Sequence, residues 1–215
     1  MTDLAETTSV AGPPPDPIDA PDETHGLSHI TSTGISNEKL AMWVFLGSEC
    51  LLFGGLISTY LLYKDKAVVG PTPFDLYDIP FTSISSFILL MSSLTMVLAV
   101  AAIQRDDHRR LRIWLLTTAL LGAFFIAGQV YEFTVFVKEG MGFTTNAASS
   151  AFYTLTGFHG AHVTIGIIML LSTVALSFRG RIPQHRAEAV EIVGLYWHFV
   201  DVVWVLIFTI VYLIK

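Results

Sequence analysis

Residues 194–215 read GLYWHFVDVVWVLIFTIVYLIK, a segment apolar enough to cross a bilayer that nevertheless carries His198 and Asp201 one helical turn apart. A hydrocarbon core about 30 Å thick is spanned by roughly 20 predominantly apolar residues in a helix. Working back from this segment, four more blocks meet that length, so the sequence predicts spans at about 40–63, 81–103, 113–137, 151–178 and 190–214. Of the 215 residues, 53% are hydrophobic and only 14% charged, too little polar chain to cover a water-soluble core. The expected fold class is an all-α integral membrane protein, with one five-helix domain over residues 38–215.

Residues 1–37 differ in kind. They are rich in Pro, Thr, Ser and acids and contain no Lys or Arg. This composition reads as a flexible acidic tail. It lacks the basic and apolar regions of a secretory signal. The net charge of -6 comes largely from this tail and carries no inference toward nucleic acid. Cys50 is the sole cysteine, so neither an intrachain disulfide nor a thiolate metal cluster can be built from this chain.

With five spans, the tail and the loops around residues 104–112 and 179–189 share one side. That side holds eight of the Lys and Arg residues, against four on the other. The positive-inside rule therefore places the N-terminus in the cytoplasm and the C-terminus outside. Trp43 and Trp114 fall near the starts of their spans, where interfacial aromatics belong. No internal repeat of the transporter kind is visible.

An ionisable group in the bilayer costs about 2.5–3.5 kcal/mol on insertion scales, so each must face protein or water. The groups in question are Glu49, Gln129, Glu132, His159, His162, His198 and Asp201. Counting residues from the span ends puts Glu49, His198 and Asp201 in an inner or central layer. The same count puts Glu132, His159 and His162 in an outer one. Gln129 with Glu132, His159 with His162, and His198 with Asp201 are i, i+3 pairs, each on one helix face. Interhelical hydrogen bonding is the favoured reading for all six. A carboxylate-bridged metal centre would repeat a Glu-x-x-His pattern on two helices, which is missing, and the His depths do not match for haem ligation. Glu49 stands apart, with no polar partner at i+3 or i+4 and an apolar flank. Such an isolated carboxyl is expected to hold its proton and to serve as a proton relay or reagent target, or as a neutral hydrogen-bonded acid. Small residues, among them Gly47, Gly54 and Gly55, Gly122 and Gly128, and Gly157, Gly160 and Gly166, permit close helix packing within this chain or against another.

No P-loop, Rossmann fingerprint, nucleophile elbow, zinc-protease His pair or CxxCH motif occurs. With nearly the whole chain in the membrane, this favours an accessory subunit over a self-sufficient enzyme.

Four motifs in order, WVFLGSECLLFGGL, GQVYEF, FYTLTGFHGAHVTIG and GLYWHFVDVVWVLIFTIVYL, resemble subunit III of the haem-copper oxidases, over about residues 40–215. The resemblance implies a five-helix bacterial form, a non-catalytic subunit that packs on subunit I and supports proton uptake and active-site integrity. It implies haem and copper in partner subunits, no metal in this chain, and bound phospholipid. It further implies a two-helix and a three-helix bundle splayed in a V. Glu49 would be the family's carbodiimide-reactive carboxyl, and His198 and Asp201 structural glue. The complex would be a cytochrome c oxidase of the bacterial cytoplasmic membrane, with subunit II and small subunits as further partners. Alternatives are a quinol oxidase, a nitric oxide reductase-associated homologue, or a stand-alone proton-coupled transporter. For lipid headgroups, Arg179, Arg181, His185 and Arg186 in the fourth loop are the candidates on loop charge alone.

Overall fold

A computed structural model describes residues 36–64, 66, 78–182 and 187–214. The chain divides into two units, Met1–Asn37 and Glu38–Lys215. The tail lies outside the described residues, apart from its last two positions.

Five helices account for nearly all of the described chain: α1 (Asn37–Tyr63), α2 (Ile79–Gln104), α3 (His108–Lys138), α4 (Ala147–Phe178) and α5 (Ala187–Phe208). A π-helical turn, Thr209–Leu213, continues α5. Each of the five is long and apolar enough to cross a membrane. The helices begin two to five residues before the hydropathy spans, because hydropathy marks the bilayer edge whereas a helix starts at its cap. Asp78, Asp107 and Asn146 cap α2, α3 and α4, each side chain accepting from a backbone N–H three residues on. Pro80 sits in the first turn of α2, where its missing N–H costs nothing.

The C-terminal ends of α2, α3 and α4 share one device. Asp106 (φ 58°), Gly140 (φ 88°) and Gly180 (φ 65°) take the left-handed conformation. The residue after each then donates five residues back: Asp107 to the Ala102 carbonyl, Met141 to Phe136 and Arg181 to Leu176. This closure satisfies carbonyls that a helix end would otherwise leave open.

Helices α2 to α5 form a ring in chain order, each packed on the next and α5 closing back on α2. Trp197, Trp204, Phe125, Phe152 and Leu115 fill its centre. Helix α1 stands beside this ring. Only Leu46, Phe53 and Tyr60 are buried on it, one residue every two turns, which makes a single narrow seam. The expected division into a helix pair and a trio is therefore corrected: α2 packs on α3 and α5, and the grouping among the described residues is four plus one. The reason is chemical, since the polar side chains of α2 are matched to α5 and not to α1.

Candidate functional site

The opening segment of the sequence is where the ring is fastened. Trp204 on α5 donates its indole N–H to Ser86 Oγ of α2 at 2.8 Å, and Trp197 donates to Ser92 Oγ at 2.9 Å. Between them, Ser93 donates to Asp201 Oδ2, and His198 Nδ1 lies 3.1 Å from the same Ser93 oxygen. The earlier residues of this α5 stretch meet Ser92 and Ser93 and the later Trp204 meets Ser86, the signature of an antiparallel pair. Ser93 has one hydroxyl proton, given to Asp201, so His198 Nδ1 is the donor to it. Thr95 extends the polar line to α3 through Thr118 at 2.8 Å. Two glycines make room for the ladder's largest rung: a Cβ on Gly122 of α3 would lie 2.5 Å from the Trp197 ring, and one on Gly166 of α4 2.8 Å from it.

Toward the end of the bundle where α2 and α4 begin, Glu132 of α3 is 6% exposed and held from two sides. Thr82 of α2 reaches Oε1 at 2.9 Å, and Tyr212, carried by the π-helical turn, reaches Oε2 at 3.3 Å. One carboxyl thus ties together α2, α3 and the end of the last span. Gln129, one turn deeper, donates to the Thr156 carbonyl of α4 at 3.0 Å. Gly160 leaves space for this amide, since a Cβ there would sit 2.7 Å from Gln129 Oε1.

His159 departs from the expected hydrogen bonding. It is fully buried, and neither ring nitrogen has a hydrogen-bond partner among the described residues. Its ring stacks on Trp204 with centroids 4.8 Å apart, and Phe125 meets it edge-on. Asp201 Oδ1 is likewise buried without a partner among the described residues, so its carboxyl is fastened through Oδ2.

Near the middle of α1, Glu49 crosses to the ring: its Oε2 lies 3.1 Å from Nε2 of His162 on α4, with both side chains little exposed. This corrects one expectation, that Glu49 lies in a different layer from His162; a hydrogen bond to a neighbouring helix is one of the two readings given above for Glu49, whose own helix offers no partner at i+3 or i+4. Each residue stands near the middle of its own helix, and α4 starts four residues earlier than its hydropathy span, which brings His162 to central depth. His162 Nδ1 is 2.8 Å from the Phe158 carbonyl, an oxygen that only accepts. Nδ1 therefore carries a proton, and Nε2 and Glu49 have one more between them. If that proton is on the carboxyl, the pair is acid and neutral imidazole. If it is on Nε2, the pair is carboxylate and imidazolium. Both forms carry zero net charge, the arrangement a low-dielectric position favours. Phe53 packs edge-on against His162 with centroids 5.0 Å apart, and Tyr196 donates to the His162 carbonyl at 3.0 Å.

Of the loop cations, Arg179 and Arg181 are exposed just beyond α4, whereas His185 and Arg186 lie outside the described residues. Arg112 is engaged within the chain, bonding the Ser177 hydroxyl and carbonyl at 3.0 and 2.9 Å over the Phe178 ring. Among the described residues, no three His, Cys, Asp or Glu side chains converge as a metal site. Sequence reasoning missed the α2 partners of these groups: Thr82, Ser86, Ser92 and Ser93. Their signal was present in FTSISSFILLMSSLTM, where hydroxyls recur in pairs two turns apart on an otherwise apolar helix.

Comparison with known proteins bears on most of the chain. The family model of cytochrome c oxidase subunit III matches residues 21–215. A cytochrome c oxidase subunit 3 of Bacillus sp. (strain PS3) is 43% identical over 177 residues, 82% of this chain and 86% of that protein. A quinol oxidase subunit 3 of Bacillus subtilis (strain 168) is 41% identical over 188 residues, 87% of this chain and 91% of that protein. A cytochrome c oxidase subunit 3 of Thermostichus vulcanus is 39% identical over 179 residues, with 81% and 86% covered.

Proposed function

Because the chain belongs to the cytochrome c oxidase subunit III family, we propose that it is a non-catalytic core subunit of a respiratory oxidase fed by cytochrome c. At the family level it is a multi-pass membrane subunit of a haem-copper oxidase, an oxidoreductase complex. The finer reading is that the complex reduces oxygen to water and moves protons across a bacterial cytoplasmic membrane. In it the N-terminus faces the cytoplasm, and haem and copper reside in partner chains. Residues 38–215 form its functional domain, preceded by an acidic Pro-rich segment.

The observation that carries this reading is the division of labour among the membrane-embedded polar groups. Those of α2 to α5 are largely spent on fastening helices, and His159 is spent on aromatic stacking. Glu49, paired with His162 of α4, sits on the helix that leaves most of its surface open. A proton held at mid-membrane on the open side of a subunit suits support of proton uptake by a neighbouring chain. Gly47, Gly54 and Gly55 of α1 have open space where a Cβ would be, which suits close approach of subunit I there. Subunit II and small subunits complete the assembly, and phospholipid headgroups meet Arg179, Arg181, His185 and Arg186.

The test is to purify the tagged chain from native membranes in mild detergent and record a reduced-minus-oxidised spectrum with the co-purifying chains. Haem bands, a large haem-bearing partner and turnover with reduced cytochrome c are expected. A colourless chain recovered alone would overturn the subunit reading. The likeness to the quinol oxidase subunit favours a second reading, with quinol as donor, and turnover by quinol but not cytochrome c on the same sample would select it.

A further inference from the structure

A groove of about 390 Å³ runs between α1 and α5, lined by Trp43, Leu46 and Gly47 on one side and by Leu195, His198 and Phe199 on the other. We propose that it binds one uncharged, membrane-soluble aromatic alcohol of the quinol class, whose hydroxyl donates to Nε2 of His198. The proposal concerns binding alone, rests on the membrane placement of the helices, and is independent of the electron donor.

Three observations point to this chemistry. The first is the direction of the hydrogen bonds behind the groove. Ser93 gives its hydroxyl proton to Asp201, so His198 Nδ1 carries the proton of its own bond to Ser93. A charged imidazolium against an apolar membrane groove is disfavoured, so the ring is neutral and Nε2 keeps its lone pair. Nε2 has no hydrogen-bond partner among the described residues and, unlike Asp201 Oδ1, is not shut inside the protein. The groove therefore offers an acceptor and calls for a donor. A ligand hydroxyl there starts a chain in which every bond runs the same way, from ligand to His198 to Ser93 to Asp201, and each bond polarises the next.

The second is the lining. It contains no charged side chain, and apart from His198 and Cys50 it is apolar or aromatic. An ionic headgroup would be desolvated there without a counter-charge. Trp43 and Phe199 present aromatic side chains, which a ring matches better than a straight chain does.

The third is depth. Gly47 and His198 lie well inside the spans Asn37–Tyr63 and Ala187–Leu213, away from both ends. A lipid phosphate stays at the bilayer surface, and an acyl chain that reaches this depth has no donor for Nε2. A quinol carries a ring and a hydroxyl donor into hydrocarbon together. Its oxidised form only accepts, and a quinone carbonyl would oppose the Nε2 lone pair, so the groove selects the reduced form.

His198→Asn isolates the groove-side nitrogen, because an amide can still donate to Ser93 from near the Nδ1 position while Nε2 is removed. The experiment uses the intact purified complex, reduced and anaerobic, incubated with a short-tailed quinol, with retained quinol counted by native mass spectrometry. The haem spectrum and chain composition of each sample are recorded first, which separates loss of binding from loss of assembly and from failure of the subunit reading. His198→Asn should lower retention about tenfold, the ratio expected for one lost hydrogen bond in apolar surroundings. Val202→Phe, which fills the groove from α5, should lower it as well, and Cys50→Ser, at the other polar position of the lining, should not. The dimethyl ether of the same quinol, which cannot donate, should be retained about tenfold less than the quinol by the wild-type complex. Equal retention in wild type, His198→Asn and Val202→Phe would place the quinol on another chain and overturn the proposal. Equal retention of quinol and ether would overturn the hydrogen bond to Nε2, and with it the ligand class. A fully assembled wild-type complex that retains no quinol would mean that a partner helix fills the groove, and would overturn the proposal too.

Discussion

The ring of α2 to α5 and the lone helix α1 are built from similar residues but held by different means. In the ring, indoles, a carboxyl and hydroxyls meet across helices in a fixed antiparallel register, and glycines open space for the rings that fill it. On α1, attachment comes from a seam of three side chains, the Glu49–His162 pair in the middle, and an ion pair from Lys39 to Glu191 at one end. Apolar burial cannot distinguish the two regions, since lipid tails are as apolar as Leu. Close packing and interhelical hydrogen bonds determine which helices associate. The ring is thus the rigid part, and α1 is the helix whose position a partner can set.

The largest expected effect tests the packing side of this contrast. A methyl group on Gly122 would fall 2.5 Å from a Trp197 ring that its bond to Ser92 prevents from moving away. Gly122→Ala should therefore destabilise the subunit by about 1–3 kcal/mol, read as a lower thermal midpoint of the purified protein in detergent. Combining it with Trp197→Phe should be less than additive, and strict additivity would mean that the ring is not the obstacle. On α1, Gly54→Ala meets nothing within the chain and should be neutral or slightly stabilising by propensity. Lost co-purification of the haem-bearing partner in Gly54→Ala would then mark that face as the docking surface.

The next effect concerns polar fastening. Ser93→Ala removes the hydrogen bond that holds the Asp201 carboxyl, whose other oxygen is buried with no partner among the described residues, and it also strips His198 Nδ1. Leaving buried polar groups unsatisfied costs about 1–3 kcal/mol. Ser93→Thr keeps the hydroxyl and should recover much of the loss. A Ser93→Ala protein with the wild-type thermal midpoint would show that the ladder contributes no stability.

The same contrast explains what could be read from the sequence. Five spans were legible because length and hydropathy report the bilayer directly, and the helix ends were missed by a few residues because caps such as Asp107 and Asn146 lie in polar loops. The candidate residues were legible as costly polar groups in apolar surroundings. Their partners were not, because pairing depends on helix rotation and tilt, which residue counting ignores. Glu49 and His162 were assigned to different layers on that basis, and His159 was expected to bond when its ring instead stacks on Trp204. Serines 86, 92 and 93 looked ordinary in a helix, where a hydroxyl can satisfy itself on its own backbone.

At α1 the expected effects are smaller and electrostatic. Glu49→Gln should cost under about 1 kcal/mol, since an amide can still donate to His162 Nε2. It should abolish carbodiimide labelling of this chain, and labelling that persists would exclude Glu49 as the reactive group. His162→Leu tests the shared proton. With the imidazole gone, a lone carboxylate at mid-membrane is disfavoured, so an infrared band of a protonated carboxyl should be present in His162→Leu and missing when Glu49→Gln is added to it. Its absence there would contradict the claim that this position holds its proton.

The smallest effect is at the end of α1. Lys39 Nζ lies 2.7 Å from Glu191 Oε2 and 4.0 Å from Glu188, with all three side chains about a third exposed. Pairs at that exposure are screened by water and salt and contribute about 0.2–1 kcal/mol. Lys39→Gln should therefore shift the thermal midpoint slightly at low salt and not at high salt, while Gly122→Ala should be insensitive to salt because its cost is steric. Salt is thus a probe that separates the two modes of attachment in one titration. If Lys39→Gln instead released α1, seen as protease access to its first turns without loss of the ring, the ion pair would be the main hold on this helix. The seam of Leu46, Phe53 and Tyr60 would then be too narrow to retain α1 without it, and a partner chain would have to supply the remaining contact.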